Sequence, residues 1–141
     1  MTSVSLLSLN LRGCQEDGSF ARLVHTFTRW RSTRSLAGLC AQEHNLDPSR
    51  HEELVRLATL KNLTLVVGYA PVGADGTHWG GTLVLLDNSV LEYKSTSHVS
   101  EHAVVVDVEW GGKPLQLASV YAPVQPLARV NFFTGYKTFS Q

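Results

Sequence analysis

The sequence is poor in the features that would let a protein work by cross-linking, membrane insertion or bulk charge. Its 141 residues hold two cysteines, Cys14 and Cys40, and one methionine. Two cysteines are too few for a disulfide framework, and their spacing matches no metal-binding pattern. A reducing, intracellular setting, nuclear or cytoplasmic, is therefore the default expectation. No apolar run approaches the roughly 18 residues of a membrane span, and Met1 to Leu7 lacks the positive stretch of a signal peptide. Twelve Lys and Arg balance twelve Asp and Glu, which excludes a strongly basic tail gripping nucleic acid by charge alone. No internal repeat, linker or low-complexity segment is visible.

What is present is apolar and patterned. Hydrophobic residues make up 43% and charged residues 17%, enough to build a core and too apolar for a disordered chain. The length suits one domain. The neutral total is uneven along the chain: residues 1–34 carry a net +3, 35–70 carry −1, 71–110 carry −5 and 111–141 carry +3. That is either ordinary surface charge or two basic ends sharing one phosphate-binding face.

Ser3 to Asn10 reads as a mostly buried strand. Gln15 to Ser19 is turn chemistry, with Asp17 or Ser19 available as a helix cap. Phe20, Leu23, Val24 and Phe27 then share one helical face. Ser35 to Gln42 is a near-continuous apolar run, as in a strand covered on both faces. Asp47-Pro48 reads as a cap followed by proline at the first helical position, with Leu54, Leu57 and Ala58 on that helix's apolar side. Leu63 to Val67 is the next strand. Strand–helix alternation of this kind implies an α/β fold with parallel crossovers. A Gly/Pro-rich loop, Gly68 to Trp79, changes the character. Gly81 to Leu86 and Val90 to Ser95 read as strands. Val104, Val106, Val108 and Trp110 alternate before Gly111-Gly112 turns the chain into Leu115 to Tyr121, a hairpin that makes the sheet mixed. Ala128 to Phe139 reads as a helix. If Leu36–Cys40, Gly81–Leu86 and Val104–Val108 form one sheet that normally packs on a second, its far face is bare in this chain.

Three polar residues stand at similar places. Asn10 ends the first strand, Glu43 follows the apolar run, and Tyr121 ends the last strand. Ligands in α/β sheets collect beyond strand ends, and Mg²⁺ takes one or two carboxylates with substrate oxygens. Singly, each is also what a strand end ordinarily shows. His98 and His102 stand at i, i+4, but Ser and Thr surround them and no third ligand is near, so zinc is not expected. His25 and His51 read as surface polar residues on helices. Cys40 reads as core. Trp79 and Trp110 read first as apolar fillers, and Trp79's loop leaves a substrate contact open.

The segments Leu7-Ser8-Leu9-Asn10-Leu11-Arg12-Gly13, Leu39-Cys40-Ala41-Gln42-Glu43-His44, Gly80-Gly81-Thr82-Leu83-Val84-Leu85-Leu86, Ser119-Val120-Tyr121-Ala122-Pro123 and Arg129 to Phe133 occur in an order and spacing that resemble the endonuclease/exonuclease/phosphatase superfamily. The resemblance is nearest to the apurinic-endonuclease-like domain of non-LTR (LINE-type) retrotransposons. It implies a DNase I-like fold: a mixed sheet with helices on one face, half of a four-layer α/β sandwich. It implies a divalent-metal-dependent phosphodiesterase that nicks DNA and leaves a 3′-hydroxyl able to prime reverse transcription. Glu43 would be the principal ligand of Mg²⁺ or Mn²⁺. Asn10 would orient that carboxylate and the phosphate. Tyr121 would place its hydroxyl beside the scissile phosphate, and Arg129 would meet phosphate. Gln42 and His44 would position the loop.

Departures from the family pattern are also plain. Arg12 stands where some relatives carry an acid, and Val124 where many carry Asn. The family's second-half Gly-Asp-Phe-Asn-type and Ser-Asp-His-type motifs, which bring the acid and the base that handle the nucleophile, do not occur in residues 1–141. The chain is thus expected to be the N-terminal part of a single such domain, lacking its C-terminal half as a partner and inactive alone. The alternative is a non-catalytic remnant or binding module derived from that domain.

Overall fold

The computed structural model of the chain describes residues 3–121. Arg129, Val124 and the helix expected over 128–139 lie outside them. Strands β1 (Ser5–Asn10) and β2 (Leu36–Gln42) run parallel, joined by helix α1 (Ser19–Arg34). A 3₁₀ turn at Pro48–Arg50 leads into helix α2 (His51–Thr59) and then strand β3 (Leu63–Gly68). Strand β4 (Thr82–Asp87) inserts antiparallel between β2 and β3, so the first sheet has the order β1-β2-β4-β3. The second crossover therefore does not lay β3 against β2, as alternation alone suggested.

Strands β5 (Glu92–Val99), β6 (Ala103–Trp110) and β7 (Lys113–Val120) form a separate antiparallel sheet, β5-β6-β7. This corrects two expectations. The Gly111-Gly112 hairpin belongs to the second sheet, and β4 makes the first sheet mixed. β6 also does not pair edgewise with β2 and β4. It packs on them face to face, through Val104, Val106 and Val108 against Ala37, Val84 and Leu86. The far face of the first sheet is thus covered over β2, β4 and β3. An alternating apolar strand fits either arrangement, because both bury the same face.

The opposite face of the first sheet carries both helices. Phe20, Val24 and Phe27 of α1, with Leu54 and Ala58 of α2, pack on Leu39, Ala41, Leu63, Leu83 and Leu85. β4, buried at all six positions, lies between the two cores. α1 begins at Gly18, at φ 80 and with no side-chain cap, rather than at Asp17 or Ser19. Ser19 N–H bonds back to the Glu16 carbonyl at 3.0 Å, a turn so tight that it requires glycine's left-handed backbone. Asp47 does cap its 3₁₀ turn, accepting from Ser49 N–H at 2.9 Å ahead of Pro48. At the end of the sheet away from the β2–β4 loops, the buried Asp87 carboxylate accepts from Ser89 and meets Arg31 of α1 at 3.5 Å. No helix among the described residues is long and apolar enough to cross a membrane. The fold class is the one the sequence implies: an α/β layer of helices and mixed sheet, with a second sheet beneath.

The end of β3 at Gly68 lies tight against the turn between β5 and β6. A Cβ there would run into the Ser100 backbone carbonyl. Gly68→Ala is expected to destabilise the chain by about 1–3 kcal/mol through overpacking, read as a lowered midpoint in thermal denaturation. An unchanged midpoint would show that the sheets have room to part.

Candidate active site

Three turns meet at one rim of the first sheet: the turn after β1, the turn after β2 and the approach to β4. Each contains residues in the left-handed backbone region. Arg12 (φ 51) and Gly13 (φ 97) are in the first, Glu43 (φ 55) and Asn45 (φ 56) in the second, Gly80 (φ 114) and Gly81 (φ 90) in the third. Their backbones interlock. Gly13 N–H donates to the Glu43 carbonyl at 2.7 Å, Glu43 N–H to Gly81 at 2.8 Å and Asn45 N–H to Gly80 at 2.9 Å. The Asn45 side-chain oxygen accepts from Gly80 N–H at 2.7 Å. A non-glycine residue in this region costs about 1–2 kcal/mol, and such strain collects where function demands a geometry.

His44 holds the middle of the assembly. It is buried. Its Nδ1 accepts from Leu46 N–H at 2.9 Å, so its Nε2–H is left to donate to the Gly68 carbonyl at 2.9 Å. Both bonds suit the neutral ring, and burial pushes its pKa down. Gly81 passes so close to this ring that a Cβ would strike it. His44 is therefore a fastening between the β2 turn and the end of β3.

A buried polar bridge beside it joins the two sheets. Gln42 Nε2–H donates to Ser119 Oγ at 3.0 Å, and Ser119 Oγ–H donates to the Ala41 carbonyl at 2.9 Å. Ser119 stands two residues before Tyr121, and Gln42 one before Glu43, so the bridge brings these two residues to the same place. The Tyr121 hydroxyl donates to the Glu43 carboxylate, and that bond with partial burial raises the phenol's pKa above its ordinary value. Tyr121 N–H also donates to the His102 carbonyl at 2.7 Å, while His102 Nδ1 lies 3.2 Å from the Tyr121 carbonyl oxygen. An open cleft of about 540 Å³ results, lined by Arg12, Glu43, Asn45, Trp79, Gly80, His102 and Tyr121. That volume falls within the range of ligand sites.

Glu43 and Tyr121 are thus brought together. Asn10 sits next door, opposite Gln42 in the β1–β2 register. Its side-chain oxygen accepts from Arg12 N–H at 2.9 Å, shaping the turn that carries Arg12 to the cleft. Of the first segment's arginines, Arg12 lines the cleft, whereas Arg31 is tied to Asp87 and Arg34 lies over Trp30. His98 lies on β5 and His102 in the turn after it, not on a common helix face. Asn45 and His102 were not foreseen as cleft residues. Asn45 had a readable signal, since Asn tolerates the left-handed backbone. His102 had none, because a hairpin turn brings it there from the second sheet.

Among the described residues, no three His, Cys, Asp or Glu side chains cluster as metal ligands. Glu43 brings one carboxylate to the cleft, a hard oxygen donor. It suits Mg²⁺ or Mn²⁺, which keep waters and take substrate oxygens, and does not suit a closed protein cage.

No protein-family model matches the sequence, and no curated protein matches it. Solved structures do. The endonuclease domain of TRAS1, a telomere-specific non-LTR retrotransposon, superposes with a TM-score of 0.59 at 16% identity, over 96% of this chain and 54% of that one. TDP2 of D. rerio complexed with a single-strand DNA product gives 0.60 at 15% identity, over 100% and 56%. The AP endonuclease LMAP from Leishmania major gives 0.59 at 13% identity, over 89% and 42%. The fold is the one these solved structures share, the DNase I-like arrangement that the sequence resemblance implied. The chain spans about half the length of the solved structures it matches.

His44 generates a pH prediction. Its folded pKa lies below the ordinary 6.5, so between those two values the unfolded chain binds a proton that the folded chain refuses. Stability is complete above about pH 6.5 and is lost as pH falls below it, toward the folded value. Unfolding midpoints measured in chelator should fall across that window. His44→Gln should lower stability at neutral pH and flatten the slope. An equal slope in both proteins would assign the effect elsewhere.

Proposed function

We propose that the cleft is part of a phosphodiester-cleaving site acting on DNA, of the retrotransposon-endonuclease kind. The observation that carries this reading is the Tyr121 hydroxyl seated on the Glu43 carboxylate, in a cleft at the strand ends, within a fold shared with DNA-processing nucleases. Glu43, with Asn10 beside it, would hold Mg²⁺ or Mn²⁺, and such an ion draws charge from a phosphoryl oxygen and from the leaving alkoxide. Arg12 supplies a fixed positive charge for the phosphate backbone. Tyr121, with its pKa raised, stays protonated at neutral pH and can donate to a phosphate oxygen as negative charge develops there. The interlocked turns hold these groups without reorganisation, which is where much of the rate of phosphoryl transfer comes from. Arg129, which follows the Tyr-Ala-Pro segment, is proposed as a further phosphate contact.

The cleft is weaker on the side of the attacking water. His102 turns its Nδ1 to the Tyr121 carbonyl and its Nε2 to the Glu101 carboxylate at 3.3 Å. Both ring nitrogens thus face protein oxygen atoms. General-base assistance is typically worth about 10²–10⁴-fold. We read residues 1–141 as the N-terminal part of a single domain whose other part supplies that base. The lone carboxylate also favours a second reading, a remnant or binding module that occupies DNA without cutting it.

Nicking of supercoiled plasmid with Mg²⁺ or Mn²⁺ separates the two. The 141-residue chain alone is expected to show no appreciable turnover. In a longer chain that includes it, Glu43→Gln should lower nicking by about 100-fold or more, and Tyr121→Phe by less. Equal nicking by Glu43→Gln would remove Glu43 from the chemistry. DNA binding without cleavage in every form would leave the binding module. Glu43-dependent cutting by a well-behaved monomer of 141 residues would show that no further base is needed.

A further inference from the structure

The loop between β3 and β4 ends in an indole held out over the cleft. Trp79 is 60% exposed. A single exposed tryptophan is unremarked on most surfaces, but this one is fixed from both sides. Its Nε1–H donates to Asp75 Oδ2 at 3.2 Å. The other oxygen of that carboxylate accepts from Thr77 N–H at 3.1 Å and Thr77 Oγ–H at 2.6 Å. The loop is closed by Gly73 N–H on the Thr77 carbonyl at 2.7 Å. On the other flank, Gly80 is pinned by both the backbone and the side chain of Asn45. The ring therefore does not have to be ordered when something binds it.

From this we infer that Trp79 is a stacking platform for an unstacked nucleobase, next to the phosphate that occupies the Arg12–Glu43–Tyr121 cleft. The inference rests on the nucleic-acid reading above and deepens it. Charge selects the base over the backbone. The Asp75 carboxylate, bonded to the indole edge, repels a phosphodiester from the ring itself. The flat, neutral face of a base meets no such penalty, and any base can use it. The base must be out of its duplex stack to reach the ring, so the preferred ligand is single-stranded or locally opened DNA. Asp75 is a positioning residue in this scheme, because it touches the indole and not the ligand.

The test uses the 141-residue chain in chelator, so that binding is read without cleavage. Two fluorescently labelled strands of equal length are compared by anisotropy: a short oligothymidine, and a strand of abasic tetrahydrofuran units with the same phosphates. The native chain should bind the base-bearing strand about tenfold or more tighter. Trp79→Ala should bring its affinity down to that for the abasic strand and leave the latter unchanged. Trp79→Phe, which keeps a π face, should retain most of the preference. Asp75→Asn should fall between, because a neutral amide holds the indole less firmly. Loss of affinity for both strands alike, or for neither, in Trp79→Ala and Trp79→Phe overturns the platform while leaving nucleic-acid binding intact. If the native chain binds neither strand, the nucleic-acid reading falls and the platform with it. Thermal unfolding of each variant separates a lost contact from a lost fold.

Discussion

The cleft exists because three turns hydrogen-bond to one another rather than to solvent. Glu43 donates its N–H to Gly81 and accepts at its carbonyl from Gly13. That exchange is feasible only with Glu43 in a backbone region that L-residues avoid. The strain is local, and the bonds that compensate it are distributed over β1, β2 and β4. The backbone that carries this carboxylate is therefore held at both of its peptide groups, as it would not be on a free loop. The rigid sheet, buried on both sides at β4, is the support on which the turns depend.

The second constraint is the hydroxyl–amide bridge between the sheets. Gln42 and Ser119 are buried polar groups that satisfy one another and a backbone carbonyl. A satisfied network of this kind specifies one relative position of two packed layers, where apolar contacts alone would permit several. The inter-sheet core of Val104, Val106, Val108, Val84 and Leu86 supplies most of the burial. The bridge sets the register, and with it the seat of the Tyr121 hydroxyl.

Much of this was legible in the residues. Helices α1 and α2 and strands β2, β3, β4 and β6 fall close to where periodicity and turn chemistry put them, because each buries a face whose apolar spacing is local information. By contrast β1, expected to be mostly buried, has no fully buried residue, and β5 runs on to Val99 past the Ser95 at which it was expected to end. Glu43 and Tyr121 were legible as strand-end polar residues within a family-like order. Long-range choices were not. Nothing within β6 says whether it pairs edgewise with β4 or lies over it, and nothing in Asp17-Gly18-Ser19 says that the turn tightens until glycine must take the helix start. Asn10 was identified correctly as a strand-end residue, yet its oxygen is engaged by Arg12 N–H, a contact set by the left-handed turn and invisible in a spacing. His102 and Asn45 reach the cleft by tertiary packing alone.

The Ser119–Ala41 bond joins residues 78 positions apart, and this has a consequence for the chain's history during synthesis. β1, α1, β2 and α2 can associate as soon as they leave the ribosome, since their contacts are comparatively local. The face of β2 and β4 that will carry the second sheet, Ala37, Val84 and Leu86 included, stays uncovered until β6 and β7 have been translated. For that interval the nascent chain presents an aliphatic surface and no cleft. Exposure of that aliphatic surface is therefore a property of the polypeptide before Tyr121 is added, and the rim takes shape only once the second sheet has closed over the first.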